Sequence, residues 1–194
     1  MEDSRRRGRR MLLVVAALFL LPVAFAFALY YGNVWRPSGS SNKGELITPA
    51  RPLMTSGLRL PDGTTAGADV LRDKWSIVYV GDGACNADCR ASLVYARQSR
   101  LSLNNEMTRV QIVMLASEHC CDPALEQHVP GIRMFDASSA DAAPLLAQFP
   151  DGQRVRSLFI VDPLGNLMMR HEAAGTSKDL LTDLKKLLKL SHIG

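Results

Sequence analysis

A single α/β domain carried behind one membrane-spanning helix is the architecture this sequence predicts. Three observations carry that expectation. A long apolar run without charge follows an arginine cluster near the N-terminus. Beyond it, short β-branched runs alternate with helical patterns in a fixed order. The length left over, about 150 residues, suits one domain and not two, and is enough to bury a core without structural staples.

The N-terminal signal comes first. Residues 1–10 hold five arginines (Arg5, Arg6, Arg7, Arg9 and Arg10) against two acids, a charge of +3 out of the +4 of the whole chain. The rest of the chain is therefore almost neutral, which excludes the basic surface that nucleic-acid binding needs. Residues 11–31 are apolar, and no charge occurs between Arg10 and Arg36. As a helix this run spans about 31 Å, enough for a bilayer core of roughly 30 Å. Tyr30, Tyr31 and Trp35 stand at its far end, where aromatic rings favour the headgroup region. The arginines hold residues 1–10 in the cytoplasm, residues 11–31 form a transmembrane anchor, and the remainder of the chain lies outside. The small residues Ala24, Ala26 and Ala28 offer the alternative of a cleaved signal peptide, against which the length of the run argues. Residues 32–52 read as a linker, polar through 36–44, and residues 53–194 as the exported domain.

Within the domain, residues 75–80 (WSIVYV) are a buried strand. Residues 87–103 carry apolar positions at helical spacing, and residues 110–115 form a second buried strand. Strand, helix, strand implies a βαβ unit with parallel neighbours. A weak helix is expected near residues 140–148. Residues 157–161 and 166–170 flank Asp162-Pro163-Leu164-Gly165, a turn suited to a hairpin. Residues 177–190 close the chain as an amphipathic helix, with Leu180, Leu181, Leu184, Leu187 and Leu188 on one stripe and Asp183 off it. A βαβ half, a helix, a β-hairpin and a C-terminal helix, in that order, make the thioredoxin-like arrangement.

The chain has four cysteines, too few for a disulfide scaffold in a domain this long, so they read as a site. Cys85 and Cys89 stand where the first strand gives way to its helix, at the sheet edge where open α/β folds place function. A thiol at a helix N-terminus meets free N–H groups and the positive end of the dipole, which favours the thiolate. Cys85, preceding the helix, is expected to be the more exposed and more acidic thiol. A spacing of four lets the two sulfurs bridge, or hold one soft metal ion, for which Cu(I) is the natural choice. His119, Cys120 and Cys121 follow the second strand at the same sheet edge. They can supply a further ligand to a cuprous site, supply a resolving cysteine for exchange with Cys85, or form a surface loop with incidental thiols. A bond between adjacent Cys120 and Cys121 is the least favoured pairing. His128, His171 and His192 lack paired spacing and are expected at the surface. No Ser-His-Asp set, paired catalytic carboxylates, phosphate-binding glycine loop or haem motif is present in the sequence.

The segment WSIVYVGDGACNADCRASL resembles the cysteine-bearing segment of the Sco/SenC family, and LFIVDPLGNL resembles its strand, Pro-Gly turn and strand. The stretches NKGELI and RPL and the ending LLKLSHIG are similar to membrane-anchored Sco-like proteins of proteobacteria. The resemblance implies a thioredoxin-like domain in the periplasm, held by one helix in the inner membrane. It implies a role in cytochrome c oxidase assembly through copper or thiol chemistry at Cys85 and Cys89, with oxidase subunits or other assembly factors as partners. A thiol-disulfide reductase acting on a partner's copper-site cysteines, and a scaffold without chemistry, are the alternatives. Two positions depart from the family: Arg90 replaces the Pro after the second cysteine, and Arg154 stands where the family's copper-ligating His is expected. An arginine cannot coordinate the metal. If copper is carried, it is therefore expected as Cu(I) on Cys85 and Cys89, helped by the 119–121 loop, with Arg154 balancing the charge.

Overall fold

The computed structural model describes residues 2–32, 41–150, 152–175, 177–191 and 193. Trp35, His192 and most of the expected polar spacer lie outside the described residues. The chain divides into two compact units, residues 1–41 and 42–194. The first is a helix, α1 (Glu2–Tyr31), with Pro22 inside it. It takes in the arginine cluster as well as the apolar run, because arginine is itself a good helix former. Its stretch Arg5–Tyr31 is long and apolar enough to cross a membrane.

The second unit is built on a six-stranded sheet of order β1-β6-β5-β2-β3-β4. The strands are β1 (Glu45–Pro52), β2 (Trp75–Asp82), β3 (Val110–Glu118), β4 (Ile132–Asp136), β5 (Ser157–Val161) and β6 (Asn166–Glu172). The helices are α2 (Ala87–Leu101), α3 (Ala124–His128), α4 (Ala143–Leu146) and α5 (Ser177–Leu190). β2, β3 and β4 run parallel, while β5 pairs antiparallel with β2 and β6 with β5. This is the expected thioredoxin-like arrangement with a strand added at each edge.

Those two added strands differ from the sequence reading. Residues 45–52, read as part of the linker, form β1 and pair with β6, Glu45 opposite Arg170 and Arg51 opposite Leu167. Nearly all of β1 is exposed, so it lacks the apolar alternation that announces a strand. β4 is five residues long with Arg133 in it, too short and too mixed to stand out. The helix expected over 140–148 is a 3₁₀ turn, Ala140–Ala142, followed by the single turn of α4.

Successive side chains of β2 point to opposite faces, and both faces are covered, so every residue but the terminal Asp82 is buried and most are apolar. Ile77 and Tyr79 join Leu93, Ile112, Leu158, Leu180 and Leu184 under α2 and α5. Val78 and Val80 join Leu58, Leu71, Phe135, Phe149 and Phe159 on the other face. The hairpin turn forms as expected. Asp162 Oδ1 accepts from the N–H groups of Leu164 and Asn166, at 2.9 and 2.8 Å. Gly165 takes a φ of +87°, which glycine adopts at no steric cost.

His171, expected at the surface, and Asp183, set off the apolar stripe, are both buried. His171 is 4% exposed and Asp183 1% exposed, with His171 Nε2 lying 3.3 Å from Asp183 Oδ2. The same Oδ2 accepts from the backbone N–H groups of Lys43 and Gly44, both at 2.8 Å. Asp183 therefore sits on the inward side of α5, where it fastens the first residues of the domain.

Candidate functional site

β2 ends at Asp82, and the chain turns through Gly83 and Ala84 into Cys85 before α2 begins. Asp82 directs the turn: its Oδ1 accepts from the Ala84 N–H at 2.9 Å and its carbonyl from the Cys85 N–H at 3.1 Å. The Ala84 N–H, with help from His119, holds the exposed Asp82 carboxyl below its usual pKa. Asn86 caps α2, its side-chain oxygen accepting from the Cys89 N–H at 2.9 Å. This is the preferred chemistry for a helix start, and it fixes the turn on which both cysteines stand.

Cys85 and Cys89 are joined as a disulfide with Cα atoms 5.2 Å apart. Cys85 adopts a left-handed φ of +41°, a conformation that costs a non-glycine residue about 1–3 kcal/mol and so needs firm support around it. Part of that support comes from Arg90, whose Nη1 donates to the Cys85 carbonyl at 2.6 Å. Cys85 is 1% exposed and Cys89 3%. The expectation that Cys85 is the more exposed thiol is thus corrected: both cysteines belong to the core cluster that includes Tyr79 and Leu93.

An open groove of about 830 Å³ runs beside Cys89. Its lining includes Tyr79, Ser92, Val155 and Ala173, with Asp88 and Glu172 set against Arg156 and Arg170. Tyr79 is the residue that sequence reasoning missed. Its hydroxyl donates to the Val155 carbonyl at 3.1 Å, tying the loop before β5 to the cysteine strand. Burial, reinforced by Asp88, raises its pKa and keeps that donor protonated. An aromatic ring closing the WSIVYV strand two residues before its Gly was the available signal. Arg154 lies in a 3₁₀ turn at the same sheet edge. Its Nε donates to the Phe149 carbonyl at 3.3 Å, and the groove is lined by its neighbours Gln153, Val155 and Arg156.

The 119–121 loop leaves the sheet next to the Cys85 loop, because β2 and β3 are parallel neighbours with Asp82 opposite Glu118. Gly83 binds the two loops: its N–H donates to the Glu118 carbonyl at 2.8 Å. A Cβ at Gly83 would lie 2.5 Å from the His119 carbonyl oxygen and 2.9 Å from the Cys120 Cα, so only glycine allows this approach. His119 is exposed, with Nδ1 3.2 Å from Asp82 Oδ1. One ligand atom each from Asp82, Glu118 and His119 fall within 4.8 Å of one another. The imidazole is therefore gathered with two carboxylates. Cys120 and Cys121, both partly exposed, follow His119 on the same loop.

A family model described as the transmembrane-like, thioredoxin-like, C-terminal domain matches residues 75–191. The chain belongs to that family. The match takes in both cysteine pairs, the hairpin and α5, and stops short of α1 and β1. The fold is that of the Sco proteins, as the resemblance implied. Apo Sco1 from Thermus thermophilus superposes with a TM-score of 0.61 at 16% identity, over 77% of this chain and 99% of that one. Yeast Sco1 with copper bound gives 0.58 at 14% identity, over 78% and 95%. BsSco, for which a disulfide switch is described and which belongs to the Sco family of cytochrome c oxidase assembly proteins, gives 0.52 at 15%, over 73% and 96%. No curated protein sequence matches the chain.

Proposed function

We propose that this chain is a membrane-anchored accessory protein for cytochrome c oxidase assembly, working at Cys85 and Cys89. In this reading α1 spans the bacterial inner membrane with the arginines in the cytoplasm and the domain in the periplasm. The observation that carries it is the cysteine pair itself. Two thiols four residues apart are drawn to a Cα distance of 5.2 Å at the C-terminal end of a central strand, beside an open groove. Known Sco structures of the same fold include one with copper bound and one with a disulfide switch.

The donor chemistry fits Cu(I). Reduction of the Cys85–Cys89 bond frees two soft sulfur donors, which select the monovalent ion. It does not fit Cu(II), which wants nitrogen: among the described residues the groove lining contains no histidine, and Arg154 donates to Phe149 where the family would offer one. When bound, the ion would be the cargo delivered to a copper site of the oxidase. The residues around it hold the turn (Asn86, Asp82), support the Cys85 backbone (Arg90) and shape the approach of a partner (Tyr79, Val155). The same absence of a nitrogen donor favours a second reading, a thiol-disulfide reductase that keeps a partner's copper-binding cysteines reduced.

The full chain, reduced and kept in detergent under anaerobic conditions, is titrated with Cu(I) against a coloured chelator. One Cu(I) per chain, lost in the Cys85→Ser/Cys89→Ser variant, is the expected result. Retention of copper by that variant overturns the assignment of the pair. Absence of Cu(I) binding together with reduction of a partner disulfide selects the reductase reading.

A further inference from the structure

The function above uses the sheet edge at the C-terminal ends of β2 and β3 and gives no role to the opposite end of the domain. That end is formed by the last turns of α2 and α5 and by the 3₁₀ turn Asn104–Arg109, which leads into β3. We propose that it is a docking surface for the anionic lipid headgroups of a bilayer. It rests on the reading of α1 as a membrane anchor, and it adds a second, superficial contact with lipid that the anchor alone does not provide.

Three observations carry it. The first is apolar surface gathered in one place. Leu190 is 76% exposed, Ile193 46%, Leu101 41% and Met107 37%. Arginines tie their segments together: Arg100 Nε donates to the Met107 carbonyl at 3.1 Å, and Arg109 Nη2 donates to the Ser191 and Ile193 carbonyls, both at 2.9 Å. The second is charge. Residues 42–194 are neutral as a whole, with 17 Lys and Arg against 17 Asp and Glu. Yet the stretches 97–109 and 184–193 hold Arg97, Arg100, Arg109, Lys185, Lys186 and Lys189 against a single acid, Glu106, which pairs with Arg109. The three lysines are exposed. Exposed apolar side chains among Lys and Arg suit an anionic lipid surface, the apolar tips entering the headgroup boundary while the cations meet phosphates. The third is reach. Asp183 of α5 holds Lys43 and Gly44, the start of the domain, and Leu190 lies seven residues further along the same helix, about 10 Å. The stretch 32–42 that joins α1 to this point spans at most about 40 Å. A bilayer that holds α1 is thus always within reach of the basic end.

An acidic protein face would meet the same cations. Lipid is favoured because Leu190 protrudes from a helix end, a shape suited to a soft surface, and because the tether keeps a bilayer close whether or not a protein partner is present. The dock also suits the site. α2 carries Cys89 in its first turn and Leu101 at its end, twelve residues apart, or about 18 Å along the axis. Contact at the Leu101 end leaves the cysteine edge turned away from the lipid and open to a partner.

The test is lysine footprinting of the full chain reconstituted in vesicles, one set of phosphatidylcholine alone and one of phosphatidylcholine mixed with phosphatidylglycerol. A membrane-impermeant acylating reagent labels the outward-facing domains, and mass spectrometry reads each lysine. Labelling of Lys185, Lys186 and Lys189 is expected to fall by about threefold or more in the anionic vesicles and to recover at about 0.5 M salt. Lys178, in the first turn of the same helix, is the internal reference and is expected to change little. Leu190→Asp/Ile193→Asp alters exposed side chains only and is expected to abolish the protection with an unchanged thermal midpoint. Equal labelling of the three lysines in both kinds of vesicle overturns the dock, as does protection that persists in that variant. Carbonate washing of the same vesicles reports on α1 separately. A chain that stays in the bilayer without lipid-dependent labelling refutes the dock alone. A chain released by carbonate refutes the anchor and the dock together.

Discussion

Removing the Asp183 carboxylate is expected to unfasten the start of the domain. Its Oδ2 accepts from two backbone N–H groups, Lys43 and Gly44, each at 2.8 Å, and faces His171. A hydrogen bond to a charged group contributes about 1.5–3 kcal/mol, so the two bonds set an upper limit of roughly 3–6 kcal/mol for Asp183→Ala. Two effects offset part of that. The freed N–H groups near the surface regain water when the segment lifts, and the variant no longer desolvates a carboxylate. A net loss of about 2–4 kcal/mol remains. In a domain of this size that lowers the thermal midpoint by roughly 6–12 °C. Asp183→Asn keeps an acceptor oxygen in place and should cost about 1 kcal/mol. The assay is thermal unfolding of the full oxidised chain in detergent, with hydrogen exchange read over residues 43–52. A drop of less than about 2 °C in Asp183→Ala, or unchanged exchange in β1, would refute the fastening.

Other consequences are equally open to measurement. Burial lowers the His171 pKa below its ordinary 6.5, against the opposing pull of Asp183. The unfolded state therefore binds more protons: stability is full above about pH 6.5 and declines as the pH falls through the folded value, and His171→Gln should flatten that slope in denaturant titrations. Gly83→Ala places a Cβ 2.5 Å from the His119 oxygen and should cost about 1–3 kcal/mol, read by urea unfolding of the full chain. A neutral result there would mean that the two loops part easily. Asn86→Ala removes the cap of α2 and should cost about 1 kcal/mol, with Cys85–Cys89 reduced more readily as the turn loosens; an unchanged reduction rate would show that the cap does not hold the pair.

The core of the fold was legible because it is locally written. β2, β3 and the β5–β6 hairpin are apolar runs bounded by turn residues, and α2 and α5 carry helical periods. β1 was not legible because an edge strand has one neighbour and no buried face, leaving little in its composition beyond two prolines and a register set by β6. Cys85 and Cys89 were legible from their spacing and their place after a strand. Their depth was not, since it comes from packing against residues of other elements, such as Leu93 and Leu125. His171 and Asp183 find each other across twelve positions and two elements. A single carboxylate next to Leu184 on an amphipathic helix looks solvated until the partner strand is in place. His119 stands at the sheet edge beside its sequence neighbour Glu118, and the third member of the group, Asp82, is brought there by the β2–β3 register.

The rims of the sheet bear on how such a domain avoids self-association. An unpaired strand is a template for another chain. Here β1 carries Pro49 and Pro52 in its eight residues, and proline has no N–H to offer an incoming strand. At the opposite rim Arg59 exchanges backbone hydrogen bonds with Asp136 at the end of β4, at 3.0 and 2.8 Å, so a loop of the same chain already occupies that position. Strand-by-strand polymerisation is blunted at both ends of the sheet. The sheet edge that bears Cys85 and Cys89 lies at the ends of the strands, away from both rims.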